Sequence, residues 1–209
     1  MSGGQLTPAG SDGLAGWVVA AQGGDTRAFD TVYVMVQPVL LRYLRGLVGD
    51  DAEDVASEAW LQIVRDLPGL RDANSFRGWA AAIARHQALD HLRHHKRRPA
   101  IATAFDDLAL LAARDPDPGD EVAEAASTSA AVAMIAGLPR DQAEAVLLRV
   151  VMGLDVKAAA AVLKKRPGSV RVAAHRGLRT LAKRLDEAAE INGRQPVTPS
   201  ALMAPRNAR

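Results

Sequence analysis

Apolar residues recur at three- and four-residue spacing along most of this chain, and Gly or Pro interrupts the pattern at Gly23-Gly24, Gly49, Pro68-Gly69, Pro99 and Gly137-Leu138-Pro139. Such spacing lays one apolar stripe along an α-helix, and the breakers set where each helix stops. The chain is therefore constrained to amphipathic helices that bury their stripes against one another. The alphabet agrees: 48% of residues are hydrophobic but only 4% are aromatic, and Ala, Val and Leu favour helices over a β-sandwich or barrel. With 209 residues there is room for one ordinary domain or two small ones. The expected fold class is all-α.

Leu14, Trp17, Val18 and Ala21 predict a first helix, after a Gly/Ser/Pro-rich N-terminus (1–11) expected to be disordered. A second helix is predicted over about 25–48 with Phe29, Val32, Tyr33, Val36, Leu40, Leu44 and Leu47 on its stripe, and Pro38 should kink or break it. A third begins at Asp50-Asp51, buries Val55, Ala59, Ile63, Val64 and Leu67, and leaves Asp54, Ser57, Glu58, Leu61, Gln62 and Arg65 on or near its other face. Residues 71–74 read as a polar loop, and Ser75 as the cap of a fourth helix carrying Phe76, Trp79, Ile83, Leu89 and Leu92. These four helices define a domain at 12–99.

The breaker-rich acidic string Asp115-Pro-Asp-Pro-Gly-Asp120 marks 100–127 as a flexible linker. A second domain is expected at 128–187, followed by a Pro-containing tail at 188–209. Ala131, Met134 and Ile135 predict a short helix, and Ala143, Val146, Leu147, Val150 and Val151 share one side of the next segment. A short helix at 155–163, a turn at 164–167 and an arginine-studded helix at 168–185 then have the pattern of a helix-turn-helix, with Pro167 suited to the first helical position.

Charge is distributed unevenly. Five acids and no base lie between Asp50 and Glu58, and seven acids face a single arginine between Asp106 and Glu124. Between Arg85 and Arg98 there are five Lys/Arg, one acid and four of the five histidines, and between Lys164 and Arg184 eight Lys/Arg and no acid. Two basic stretches divided by an acidic one point to two contacts on a polyanion, nucleic acid first; solvated helix faces are the alternative. In the second helix of the motif, Ser169, Val170, Arg171 and Ala174 lie at the end that enters the major groove. Arg171 is the best candidate to read guanine, while His175, Arg176, Arg179 and Lys183 suit phosphates, and Lys164, Lys165 and Arg166 crowd the turn. In the first domain Phe76 and Trp79 precede the basic cluster, a combination that suits single-stranded or distorted DNA. Core packing competes for both, and Trp79 is read as core.

Other chemistry finds little support. No cysteine is present, which removes disulfides, Cys-ligated zinc and thiol catalysis. Gly-rich phosphate loops, nucleophile elbows and kinase motifs are missing. His91 and His95 stand at i and i+4, a spacing that can chelate a metal. Yet Arg93, Lys96, Arg97 and Arg98 would repel a dication, so the reading assigns no metal, no cofactor and no catalytic residue. No apolar run reaches the ~18 residues of a membrane span, and residues 1–16 lack a signal peptide's basic start and apolar core; a cytoplasmic protein without membrane insertion is expected.

The segments Ala52-Glu-Asp-Val-Ala-Ser-Glu-Ala-Trp60, Phe76-Arg-Gly-Trp79 and Ile83-Ala-Arg-His-Gln-Ala-Leu-Asp-His-Leu-Arg93 resemble region 2 of bacterial sigma factors, nearest to the extracytoplasmic-function (ECF) group. Leu138-Pro-Arg-Asp-Gln142, Leu147-Leu-Arg-Val-Val-Met-Gly-Leu154 and Gly168-Ser-Val-Arg-Val-Ala-Ala-His-Arg-Gly-Leu-Arg179 resemble their region 4. The resemblance implies a promoter-specificity subunit of RNA polymerase without catalytic activity. It implies docking of Asp54, Ser57, Glu58, Gln62 and Arg65 on the clamp helices of the polymerase largest subunit, and a contact of region 4 with the flap. It places Arg71, Asp72, Asn74, Phe76, Arg77, His86, Arg93, Lys96 and Arg97 at the melted −10 element. The helix-turn-helix residues Lys165, Arg166, Ser169, Val170, Arg171, Ala174, His175, Arg176 and Arg179 fall at the −35 duplex, and an anti-sigma factor is implied as regulator. Two positions and one stretch depart from the family: Ser57 replaces its usual Gln, His86 its usual Asn, and Ala158–Ala161 its Glu-Ile-Ala pattern. Two other readings stay open on the residues alone, a stand-alone helix-turn-helix regulator and a metal-dependent enzyme using the histidines.

Overall fold

The computed structural model describes residues 11–97 and 120–191, and among them every regular element is helical. The elements are α1 (Ser11–Gln22), α2 (Thr26–Val48), α3 (Ala52–Asp66), α4 (Phe76–Arg97), α5 (Asp120–Ala136), α6 (Arg140–Val146), α7 (Val156–Leu163) and α8 (Pro167–Ile191). Most of the sequence-expected linker, 100–119, lies outside the described residues, but 120–127 belongs to α5, which makes that helix longer than expected. Likewise α8 continues to Ile191, past the expected boundary at 187.

Asp25 caps α2 by accepting from the backbone N–H groups of Arg27 (2.9 Å) and Ala28 (3.1 Å), and Gly49 closes it at φ 63°. Pro38 does not break the helix. It lies on the outer side, and the carbonyl it leaves unpaired belongs to Val34, which is 70% exposed and open to water. The buried row of α2 is Ala28, Val32, Val36, Leu40, Tyr43 and Leu44; Tyr33, expected on that row, is 40% exposed. On α3 the inner row is Ala52, Val55, Ala56, Ala59, Trp60 and Ile63, whereas Val64 faces outward at 52% exposure. Trp60 meets Phe29 edge-on and donates its indole N–H to Gln37 at 2.5 Å. Ser75 does not cap α4: its hydroxyl donates back to the Asp72 carbonyl at 2.6 Å, closing a single 3₁₀ turn at Ala73–Ser75.

The second half pivots on α8. Its inward row Val170, Ala174, Gly177 and Leu181 runs at helical spacing against the other helices. Gly177 lets α6 approach so closely that a Cβ there would sit 2.8 Å from Val146 Cγ2. The segment after α6 widens into a π turn at Leu147–Val151, which buries Leu147 and Leu148 and leaves Val150 53% exposed, against the sequence expectation for Val150.

The halves pack together. Leu147 seats against Gly46 of α2, where an added Cβ would come within 2.7 Å of its Cδ1. Gly78 of α4 faces Ala158 of α7, and α5 lies along α2. Across this junction Arg85 Nε binds Glu144 Oε2 at 2.7 Å, and within α6 Arg140 Nε binds Oε1 of the same carboxylate at 2.9 Å. Glu144 is the buried charged residue of the described structure, and the two guanidiniums satisfy both its oxygens.

Candidate nucleic-acid interface

Asp155 starts α7 by accepting from the Ala158 N–H at 2.7 Å. Lys164 ends it in the left-handed region at φ 53°, the turn that lets α8 leave in a new direction. Pro167 opens α8 as expected. Short helix, tight turn and long helix are thus all present where the sequence placed them. On α8 Ser169, Arg171, His175, Arg176 and Arg179 point to solvent, and Lys165 and Arg166 crown the turn. Lys165 Nζ binds Asp141 Oδ1 at 2.6 Å, and that ammonium holds the Asp141 carboxyl below its ordinary value, first by the hydrogen bond and then by charge. Two expected duplex contacts are corrected. Val170 and Ala174 are 1% and 7% exposed and belong to the packed row, so neither has a face to offer a base.

The outer face of α3 carries Asp54, Ser57, Glu58 and Arg65 exposed and Gln62 half-buried. Ser57 folds back, its hydroxyl donating to the Glu53 carbonyl at 3.0 Å, and Gln62 donates to Asp66 at 2.6 Å. Leu61 and Val64, 62% and 52% exposed, add apolar area to the same face. Sequence reading placed Leu61 on this side without giving it a role and missed Val64; their exposure follows from helical phase once Ile63 and Ala59 are fixed inward.

In the region expected at melted DNA, Arg71, Asp72 and Asn74 are exposed along the polar loop, and Asp72 Oδ1 accepts from the Asn74 N–H at 3.0 Å. Phe76 is a correction: it is fully buried, tilted against Trp79 at 5.8 Å, and cannot stack on a base. His86 (70% exposed) and Arg93 share Asp90, at 3.1 and 2.7 Å. Arg77 is half-buried, and its guanidinium reaches toward Gly153 in the second half. Lys96 and Arg97 end α4, and their side chains lie outside the described residues.

One grouping was invisible to spacing. Asp51, at the start of α3, places Oδ2 2.9 Å from His91 Nε2, and the His95 ring lies 4.3 Å from that of His91.

Residues 32–98 match the family model of Sigma-70 region 2, and residues 129–181 that of Sigma-70, region 4. The chain is 31% identical over 175 residues to the ECF RNA polymerase sigma factor BldN of Streptomyces coelicolor, covering 81% of this chain and 65% of BldN's own length. It is 33% identical over 171 residues to the ECF RNA polymerase sigma factor SigD of Mycobacterium tuberculosis, covering 78% of this chain and 80% of SigD. Among solved structures, that of CnrH in complex with the cytosolic domain of CnrY matches at a TM-score of 0.58 and 22% identity, covering 84% of this chain and 98% of that one, a likeness of fold.

Proposed function

The chain belongs to the sigma-70 family, in its ECF group, and on that premise we propose that it binds core RNA polymerase and directs promoter-specific transcription initiation. The observation that carries this reading is the presence of regions 2 and 4, in that order on one chain, each with exposed charged side chains. In this reading 12–99 acts as region 2. Its α3 face (Asp54, Ser57, Glu58, Leu61, Gln62, Arg65) meets the clamp helices of the largest subunit, and Arg71, Asp72, Asn74, Arg77, His86, Arg93, Lys96 and Arg97 serve the melted −10 element.

Residues 128–187 act as region 4, which also touches the flap. Arg171 reads the −35 duplex by bidentate bonds to guanine, and Lys165, Arg166, Ser169, His175, Arg176 and Arg179 grip phosphates. The chain supplies no catalytic group of its own, works in the cytoplasm, and is held in check by an anti-sigma factor. No helix among the described residues is long and apolar enough to cross a membrane.

The test is gel filtration of the purified chain with bacterial core polymerase, followed by run-off transcription on genomic promoter fragments. Co-elution with new transcripts is the expected result. Failure to co-elute, with tight binding to a palindromic duplex intact, would replace this reading by a stand-alone helix-turn-helix regulator.

A further inference from the structure

Two imidazoles and a carboxylate converge where α4 passes the start of α3. His91 and His95 lie one turn apart on α4, and Asp51 reaches them from 40 residues earlier in the chain. One ligand atom from each of the three lies within 4.8 Å of the others. Bonds of about 2.1 Å to a tetrahedral zinc ion separate neighbouring ligand atoms by about 3.4 Å. The Asp51–His91 pair at 2.9 Å is already inside that span, and His95 needs only a small turn of an exposed side chain.

Of the neighbouring bases, Arg93 is turned to Asp90, which it binds at 2.7 Å, so its charge is already partnered by a carboxylate. The fold also brings the Asp51 carboxylate to the His91 and His95 pair. An N₂O donor set suits zinc and its neighbours in the first transition row and does not suit calcium or magnesium, which take oxygen ligands.

We infer that Asp51, His91 and His95 form a three-ligand site for a divalent transition metal, zinc best among them, with water in the remaining position. His91 is 23% exposed and Asp51 48%, so the ion enters from solvent and completes its shell there. Its effect is to staple the first turn of α3 to the last turns of α4, beside the exposed acids of α3. This inference uses only the geometry of the helices and does not depend on the sigma reading.

The test is isothermal titration of the EDTA-treated full chain with zinc chloride, with cobalt(II) absorption as the spectroscopic readout of the donor set. One equivalent is expected to bind and to raise Tm. His95→Gln removes a side chain without a hydrogen bond of its own in the described structure, so it keeps the fold, and it should weaken binding about tenfold or more; Asp51→Asn should do the same, and exposed His94→Gln should not. No saturable binding would overturn the site, as would unchanged affinity in either His95→Gln or Asp51→Asn.

Discussion

Tyr43 is fully buried on α2, and its hydroxyl has no hydrogen-bond partner. Burial pushes the phenol far above its ordinary range and the nearby Glu144 carboxylate pushes it the same way, so it stays protonated at every working pH. A buried donor left unpaired costs about 1–3 kcal/mol. Tyr43→Phe removes the unpaired group and keeps the ring, and should raise stability by about 1 kcal/mol. A shift of the urea midpoint to higher concentration at unchanged slope would register the gain; a shift to lower concentration would mean that the hydroxyl makes a bond in solution. Single residues were legible where one helix's own phase decides exposure, as for Asp54, Glu58 and Arg171. They were not legible where a distant helix decides. Phe76, Val170 and Ala174 carry family-motif positions, yet each is buried in the packed core. Asp51 meets His91 only through the fold.

At the scale of elements, breakers and caps located most helices to within a few residues, because Gly49 and Pro167 act through their own backbone geometry and Asp155 through a side chain that bonds its own helix start. Pro38 failed as a breaker for a reason of placement, since its freed carbonyl faces water. The tight meeting of α6 and α8 at Gly177 yields a prediction. Gly177→Ala would place a methyl 2.8 Å from Val146 Cγ2 and 3.3 Å from Gln142 Cβ and Leu138 Cδ1. Overpacking costs about 1–3 kcal/mol, and the helix gains back up to ~1 kcal/mol from losing a glycine. A net loss of about 1 kcal/mol should lower Tm, with the −35 affinity of the remaining folded protein unchanged. The exposed strip Leu61 and Val64 on α3 yields another. Leu61→Glu should leave stability within about 0.5 kcal/mol, as surface changes do. Binding to core polymerase, measured by fluorescence anisotropy, should weaken about tenfold, the scale of an apolar interface anchor; unaltered binding would move the docking face off α3.

Across the whole molecule the two regions close on each other. Leu147 fills the notch at Gly46, the Arg85–Glu144–Arg140 triad spans the junction, and α7 covers the beginning of α4 at Gly78. Arg77, assigned to melted DNA in the proposed function, is turned toward Gly153 in this arrangement. On the proposed function, region 4 therefore stands beside part of the surface that region 2 would present to a promoter, and the junction is expected to open when both DNA elements are engaged. The chain has no cysteine, which makes the point directly testable. A Cβ at position 78 would stand 3.7 Å from the Cβ of Ala158, inside the ~3.5–4.5 Å range of natural disulfides. The double variant Gly78→Cys/Ala158→Cys should cross-link on oxidation and leave the closed arrangement locked. Run-off transcription should then fall to background while oxidised and return on adding dithiothreitol, with each single variant active throughout. An oxidised, fully cross-linked protein that still initiates would show that the promoter is read without separating α7 from α4.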